Sequence, residues 1–484
     1  MVHLLAMSAP DPHELCSAIP AAIVGVCRRL REAGHEAWVV GGAVRDLILG
    51  RPAQDFDVAT AARPEQVAQV FGRRRTIPTG ERHGTVTVLI GDGEERHQVE
   101  VTTFRGEGAY TDGRRPDSVE FVRDLVQDLE RRDFTINALA LDPLGAPGQQ
   151  LADPFGGLVD LAARTLRAVG DPRARFREDG LRVMRAVRFA AQLEFTLDPA
   201  TEAAIPQALD VFKKVSQERV RDELLKLLGA PRPSIGLRLM ERTGLLGEVL
   251  PELCEAVGLH QNRYHSYDVW EHTVVAVDET PGAEDSRALV RLGTLLHDVG
   301  KPRTAAPKEG SPDENTFFGH DAVGAEMADA ICRRLKLPNR DRERVVALVR
   351  HHMFWYSAEW TDATVRRFIG RVGLDVIPDL FALRTGDVRA RGRGESPGVE
   401  IDELKARIER EVEAERALKV TDLAVDGKDV MRVLGCPPGR IVGDVLRQLL
   451  ERVIEDPALN DRERLTALIP EVAREFAPGP GAAG

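Results

Sequence analysis

Val40 to Thr60 reads VGGAVRDLILGRPAQDFDVAT, and the rest of the chain is organised around it. Apolar Trp38–Val40 predicts the end of a strand. Gly41 and Gly42 follow, where a side chain would block close backbone approach and a positive φ. Arg45 and Asp46 then open a short helix that stops near Gly50. A glycine turn feeding a helix N-terminus favours anions, because unpaired N–H groups and the helix dipole both attract negative charge. After Arg51-Pro52, the run Asp55-Phe56-Asp57-Val58 alternates. Alternation puts both aspartates on one face of a strand and Phe56 and Val58 on the other. Two carboxylates beside a phosphate-binding turn suit a pair of Mg2+ ions, which take oxygen ligands and share substrate phosphates.

The 484 residues exceed what one hydrophobic core holds, so two to four domains are expected. A net charge of −11 and a pI near 5.7 give no general attraction for nucleic acid, so any RNA contact must come from local arginine clusters. Cys16, Cys27, Cys254, Cys332 and Cys436 form no CxxC and read as reduced, buried thiols of a cytoplasmic protein. No basic leader with a long apolar run opens the chain, and no later stretch approaches a membrane span, so no membrane contact is expected.

Strand signal is confined to one region: Ala37–Val40, Asp55–Ala59, Thr85–Ile90, Gln98–Thr103 and Ala138–Asp142. A helix over Ile19–Arg31 precedes it and ends at Gly34. The polar, glycine-rich run Arg105–Glu120 reads as a mobile loop. From about Arg164 the pattern is helical. The expected fold class is α+β: a small mixed α/β head, then helices. The divisions are a flexible N-terminus over 1–18, a head over 19–160, a helical neck over 161–255, a helical domain over 256–392, a helical tail over 393–476, and 477–484 disordered by composition. RGRGESPGV (391–399) is the linker, followed by a Glu/Arg-rich helix from about Glu400 to Leu418.

Glu100, on the strand VEVTT, is the candidate third carboxylate beside Asp55 and Asp57. Further on stands RFREDGLR, Arg175 to Arg182, continuing to Arg185 and Arg188. On one helix, Glu178, Asp179, Arg182 and Arg185 share a face. A carboxylate only accepts hydrogen bonds and a guanidinium only donates. Cytosine and adenine each offer an amino donor next to a ring-nitrogen acceptor, which an Asp179/Arg182 pair matches. Uracil and guanine present the reverse polarity. Such a pair selects C and A without a template, and unpaired polar groups discriminate strongly.

The ordered series of GGxxRD, the Asp55/Asp57 pair, DLERRDFTIN (Asp128–Asn137), DPFGG (Asp153–Gly157), REDGLR and ERVRDE (Glu218–Glu223) covers about residues 37–228. It resembles the bacterial, class II CCA-adding tRNA nucleotidyltransferases of the polymerase-beta-like superfamily. The resemblance implies that Asp55 and Asp57 hold Mg2+ and that Gly41, Gly42, Arg45 and Arg131 or Arg132 position a triphosphate. It further implies that Asp133 and Asn137 bind ribose hydroxyls and that Asp179 and Arg182 read the base. Glu178 would orient that pair, Arg185 and Arg188 would reach phosphates, and DPFGG would be a hinge. ERVRDE would be a clamp.

A second resemblance lies beyond. LHDVGK, with His297-Asp298 and Lys301, is similar to the HD metal-dependent phosphohydrolase superfamily. The supporting residues are His272, His320, His351 or His352, and Asp387. His272, His297, Asp298 and Asp387 suffice for one divalent ion, such as Mg2+, Mn2+, Ni2+ or Fe2+, and the other histidines leave room for a second. DGKDVMRVLGCPPG (Asp426–Gly439) is similar to the C-terminal segment of such enzymes.

The implied function is addition of C, C, then A to the tRNA 3′ end from CTP and ATP, releasing pyrophosphate. An HD hydrolase would clean damaged 3′ ends. The rivals are a poly(A) polymerase, an enzyme adding only A, or an HD phosphohydrolase with an RNA-binding head. Oligomeric state is not legible.

Overall fold

The computed structural model describes residues 11–80, 84–91, 97–106, 121–122, 124–261, 267–283, 285–391, 398–413 and 419–476. Most of the Arg105–Glu120 loop and of the 391–399 linker, and all of the 477–484 tail, fall outside them. The chain divides into two compact units: residues 1–254 with 334–337, and residues 255–333 with 338–484.

The first unit is built on a seven-stranded sheet. Its strands are β1 (Ala37–Val40), β2 (Asp57–Thr60), β3 (Thr76–Gly80), β4 (Thr85–Ile90), β5 (His97–Thr103), β6 (Ala140–Leu141) and β7 (Leu151–Ala152), in the order β3-β4-β5-β2-β1-β6-β7. β2 runs antiparallel to β1, with Val40 opposite Asp57, and parallel to β5, with Val58 opposite Val101. Val39, Val58 and Val101 are fully buried, as central strands require. The strand expected from Asp55 starts instead at Asp57, and that expected over Ala138–Asp142 shortens to Ala140–Leu141. The alternation itself is present: Phe56 and Val58 are buried, while Asp55 is exposed and Asp57 half-buried.

The helix Ala21–Glu32 buries Ile23, Val26, Cys27 and Leu30. Before it, Pro12–Ser17 forms a helix capped by Asp11, with Leu15 and Cys16 buried, so the flexible N-terminus read over 1–18 is corrected there. Further along, the helix Pro172–Glu178 stops where a continuous helix was expected, and the next one is Leu181–Leu193. Asp179 between them is extended, with φ −140° and ψ 106°. Its side chain accepts from the Leu181 N–H at 3.0 Å at the start of the new helix, and a Cβ on Gly180 would lie 2.8 Å from the Phe212 backbone.

The second unit is helical around Leu348, Phe368, Leu380 and Leu404. The helix expected from Glu400 begins at Gly398 and is described to Glu413. A tail of three helices, Gly427–Leu434, Arg440–Glu455 and Arg462–Glu475, packs around Val430, Leu449 and Ile469. Strands are not confined to the head. Thr165–Leu166 pairs with Thr196–Leu197, and Ala306–Lys308 pairs with Ser311–Thr316. The first two strands are too short, and SPDENT too polar, to show apolar alternation.

None of the five cysteines is in a disulfide, but Cys254 is exposed and Cys436 half-buried, so only Cys16, Cys27 and Cys332 fit the buried reading. Among the described residues, no helix is long and apolar enough to cross a membrane.

Candidate functional site

A cavity of about 1090 Å3 in the first unit gathers residues from β1, β2, β5, the 131–137 segment and the neck helices. Gly41 and Gly42 are at its edge. Gly41 has φ +82° and ψ −136°, a backbone conformation that L side chains rarely adopt, and it packs against the Arg132 guanidinium. The helix begins at Gly42, which places Arg45 within it rather than at its start: the Arg45 N–H donates to Gly41 O.

From Arg45 a chain of polar contacts crosses the cavity. Its guanidinium bonds Asp46 at 2.9 Å and Asn137 Oδ1 at 2.7 Å. Asn137 Nδ2 donates to Asp133 Oδ1 at 3.1 Å, and Arg185 Nε donates to Asp133 Oδ2 at 2.7 Å. Burial disfavours the Asp133 charge, but Arg185 and Asn137 outweigh it and hold the carboxyl at about 2.

Asp57 and Glu100 both line the cavity, one register step back from Val58 and Val101. Burial, and then the charge of Glu100, push the Asp57 carboxyl up to about 6, against the pull of Arg132. Asp55 adds to the push without lining the wall. Crowded carboxylates of this kind are relieved by cations. Among the described residues, no three ligand atoms of the head lie within 4.8 Å of one another.

Arg131 and Arg132 follow the helix Leu125–Glu130 rather than extending it. Both point to the fully buried Asp128, at 2.7 and 3.5 Å. Burial brings the Arg131 guanidinium down to about 10. Asp153 accepts from the Gly157 and Leu158 N–H groups, which fixes the DPFGG turn. A Cβ on Gly157 would lie 2.4 Å from Thr135 O.

Asp179 and Arg182 both line the cavity but hold separate partners. Arg182 pairs with Glu178 and donates to Arg131 O at 2.8 Å, while Asp179 pairs with Arg219 at 2.8 Å. Glu178 also accepts from Arg175 at 2.9 Å. The expected shared helix face is therefore replaced by a helix end, an extended residue and a new helix. Arg188 pairs with Glu223 at 2.6 Å, with both side chains nearly sealed from water, and burial lowers its guanidinium to about 10.

Two participants escaped the sequence reading as site residues, Asp128 and Phe189. The guanidinium carbons of Arg188, Arg45 and Arg185 stand 3.7, 5.2 and 5.2 Å from the Phe189 ring centroid. A phenylalanine in an amphipathic helix signals only core. Arg219 and Glu223 lay within the ERVRDE segment and were readable as a clamp.

In the second unit, two groups of potential metal ligands form: His272, His297 and Asp387, and Asp298, His320 and His352. Asp298 reaches both, with Oδ2 3.1 Å from His297 Nε2 and Oδ1 3.4 Å from His320 Nε2. His351 belongs to neither group, which corrects its place among the ligands; it ends the helix Asn339–His351, half-buried. Lys301 is buried against Asp298 at 2.6 Å and Gln261 at 2.7 Å.

The donor set fits a metal. His320 and His352 lie with each Nδ1 2.7 Å from a backbone carbonyl oxygen, that of Phe317 or Val349. Donation there leaves Nε2 as a lone pair, and the two Nε2 atoms face each other at 3.1 Å. Burial, then the charge of His297, drives the His352 imidazole down to about 3.

Residues 37–167 match the family model described as "Poly A polymerase head domain", residues 194–257 "Probable RNA and SrmB- binding site of polymerase A", and residues 262–401 "HD domain". The chain is 39% identical to the A-adding tRNA nucleotidyltransferase of Deinococcus radiodurans, over 86% of this chain and 91% of that one. It is 35% identical to the CCA-adding enzyme of Geobacillus stearothermophilus, over 93% and 96%. The crystal structure of Bacillus stearothermophilus CCA-adding enzyme in complex with CTP superposes with a TM-score of 0.69 at 31% identity, covering 94% of this chain and 98% of that one. Fold and site thus define a class: a nucleotidyltransferase head joined to an HD domain. Within that class, the chain belongs to the family of CCA-adding and A-adding tRNA nucleotidyltransferases.

Proposed function

We propose that this protein rebuilds the CCA end of tRNA in the cytoplasm, adding C, C and A from CTP and ATP without a nucleic-acid template. The observation that carries the reading is the single cavity that joins Asp57, Glu100, the arginine set and the Asp179/Arg182 pair. The tRNA 3′-hydroxyl attacks the α-phosphate; the O3′–Pα bond forms, the bond to the β-phosphate oxygen breaks, and pyrophosphate leaves. Asp55 and Asp57 are the ligands we assign to Mg2+, with Glu100 as third carboxylate. Bound Mg2+ supplies activation of the hydroxyl and neutralisation of the leaving pyrophosphate. Mg2+ takes only one or two protein carboxylates and completes its shell with substrate phosphates, so no closed cage is needed. Gly41, Gly42, Arg45, Arg131, Arg132, Arg185 and Arg188 position the triphosphate. Asp133 and Asn137 meet the ribose, and Glu178 and Arg219 hold Arg182 and Asp179 toward the base.

The 39% identity to an A-adding enzyme supports a second reading, addition of A alone. Transcripts ending before CCA, after C and after CC separate the two when incubated with each labelled nucleotide. Addition of C, C and A, then arrest, supports the first reading. Extension of only the CC transcript supports the second, and long A tails overturn both. Asp57→Ala removes addition while tRNA binding is kept.

The second unit is read as a phosphohydrolase clearing 3′-phosphate or 2′,3′-cyclic phosphate ends. The facing lone pairs of His320 and His352 support a divalent ion there, with Mg2+, Mn2+, Ni2+ and Fe2+ all compatible. Phosphate release from 3′-phosphorylated tRNA, lost in Asp298→Ala, tests this. No release from the metal-loaded protein reduces the unit to an RNA-binding body.

A further inference from the structure

The histidine–aspartate cluster opens into a cavity of about 320 Å3, whose wall includes His297, Asp298, His320, His352 and Asp387. Of its other wall residues, Lys301 pairs with Asp298 at 2.6 Å and Arg391 with Asp387 at 3.6 Å, and two more are apolar and exposed. Phe318 is 88% exposed and Met353 60% exposed, and both line the cavity. Single exposed apolar residues are ordinary on protein surfaces. These two differ because each is tied to a ligand: Phe318 precedes His320 by two residues, and Met353 directly follows His352. The turn carrying Phe318 is fixed. Gly319 has φ +76°, and His320 Nδ1 lies 2.7 Å from the Phe317 carbonyl oxygen. The neighbouring Phe317 ring is used inward, with Lys301 Nζ 5.5 Å from its centroid, whereas Phe318 faces out. Lys308 and Arg391 add positive charge to the wall, Lys308 being held by Glu314 at 2.7 Å.

With a divalent ion held by its histidines and carboxylates the cluster would take an anion, and the flat, open aromatic ring beside it calls for a ligand with a phosphate at one end and a planar apolar face at the other. We propose that Phe318, flanked by Met353, is a stacking shelf for the nucleobase of a nucleoside phosphate whose phosphate enters the Asp298 cluster. The ring accepts any base, because every base has a π-face, so the shelf confers affinity rather than sequence preference. The cavity volume is at the low end for small-ligand sites, which suits one nucleotide. The inference rests on the phosphohydrolase reading of the cluster, and its test separates the two.

Binding to the full chain loaded with Mn2+ is measured by titration calorimetry with inorganic phosphate, adenosine 3′-monophosphate and a trinucleotide ending in 3′-phosphate. Phe318→Ala weakens both nucleotide probes about tenfold, the scale of one base–aromatic stack, and leaves inorganic phosphate unchanged. Phe318→Tyr restores the affinity. Tighter binding of the trinucleotide identifies an RNA end as the source of the ligand, and equal binding identifies a free nucleotide. If Phe318→Ala leaves nucleotide affinity unchanged while Asp298→Ala removes phosphate binding, the shelf is wrong and the phosphohydrolase reading survives. If Asp298→Ala changes the binding of no probe, the reading beneath it fails and the shelf with it.

Discussion

Glu223 lies almost sealed from water beneath Arg188, 2.6 Å away, with the aliphatic and aromatic packing of the neck around both. Removing one partner of such a pair leaves a buried charge. Glu223→Ala is expected to cost about 3–5 kcal/mol in chemical denaturation, while the double replacement Arg188→Met/Glu223→Leu costs less than the sum of its parts. Asp133 gives a pH signature. Its folded carboxyl titrates at about 2 against an ordinary 3.8, so it binds fewer protons folded than unfolded. Its contribution is complete above the ordinary value and is lost as pH falls toward 2. The stability difference between wild type and Asp133→Asn is expected to shrink by about 1 kcal/mol between pH 6 and pH 3. Ordered motifs made Asp57, Asp133, Asn137, Asp179 and Arg182 readable by residue type. The choice between His351 and His352 was not readable, because adjacent positions look equivalent in sequence, whereas in the fold His352 is buried and His351 half-buried. Phe189 was missed because nothing in RAVRF distinguishes a ring that seats three guanidiniums from one that fills a core.

At the level of elements, the neck shows where spacing misleads. Glu178, Asp179 and Arg182 are spaced as on one helix, yet the backbone breaks at Asp179, whose side chain accepts from the Leu181 N–H, and Gly180 abuts Phe212, a contact between residues far apart in sequence. Local pattern carries no record of it. Gly180→Ala is expected to lower stability by about 1–3 kcal/mol by overpacking, read as a fall in Tm, and to shift Asp179 relative to Arg182. Caps, in contrast, act locally. Asp426 accepts from the Lys428 and Asp429 N–H groups and heads the helix Gly427–Leu434. Asp426→Ala should cost about 1 kcal/mol, visible as faster amide exchange at the start of that helix.

For the whole molecule, the α+β division was legible because apolar alternation fills the head and helical periodicity the rest. The hairpin at 306–316 was not, since its strands pair through backbone and carry few apolar residues. The two ligand groups of the second unit predict a chelator effect. Stripping divalent metal is expected to destabilise the full chain by about 3 kcal/mol relative to protein held at a hundredfold excess over Kd, measured by calorimetry. Asp298→Ala should abolish that dependence. A last consequence concerns the parallel pairing of β2 with β5, which sets Val58 against Val101 and so brings Asp57 beside Glu100. A strand presents alternate residues to opposite faces, so a single added or deleted residue reverses every position beyond it. In the gene, length changes that fall in turns leave the carboxylates where they are, whereas one codon gained between Val99 and Val101 separates them. Length along these two strands is thus as constrained as the two carboxylates they carry.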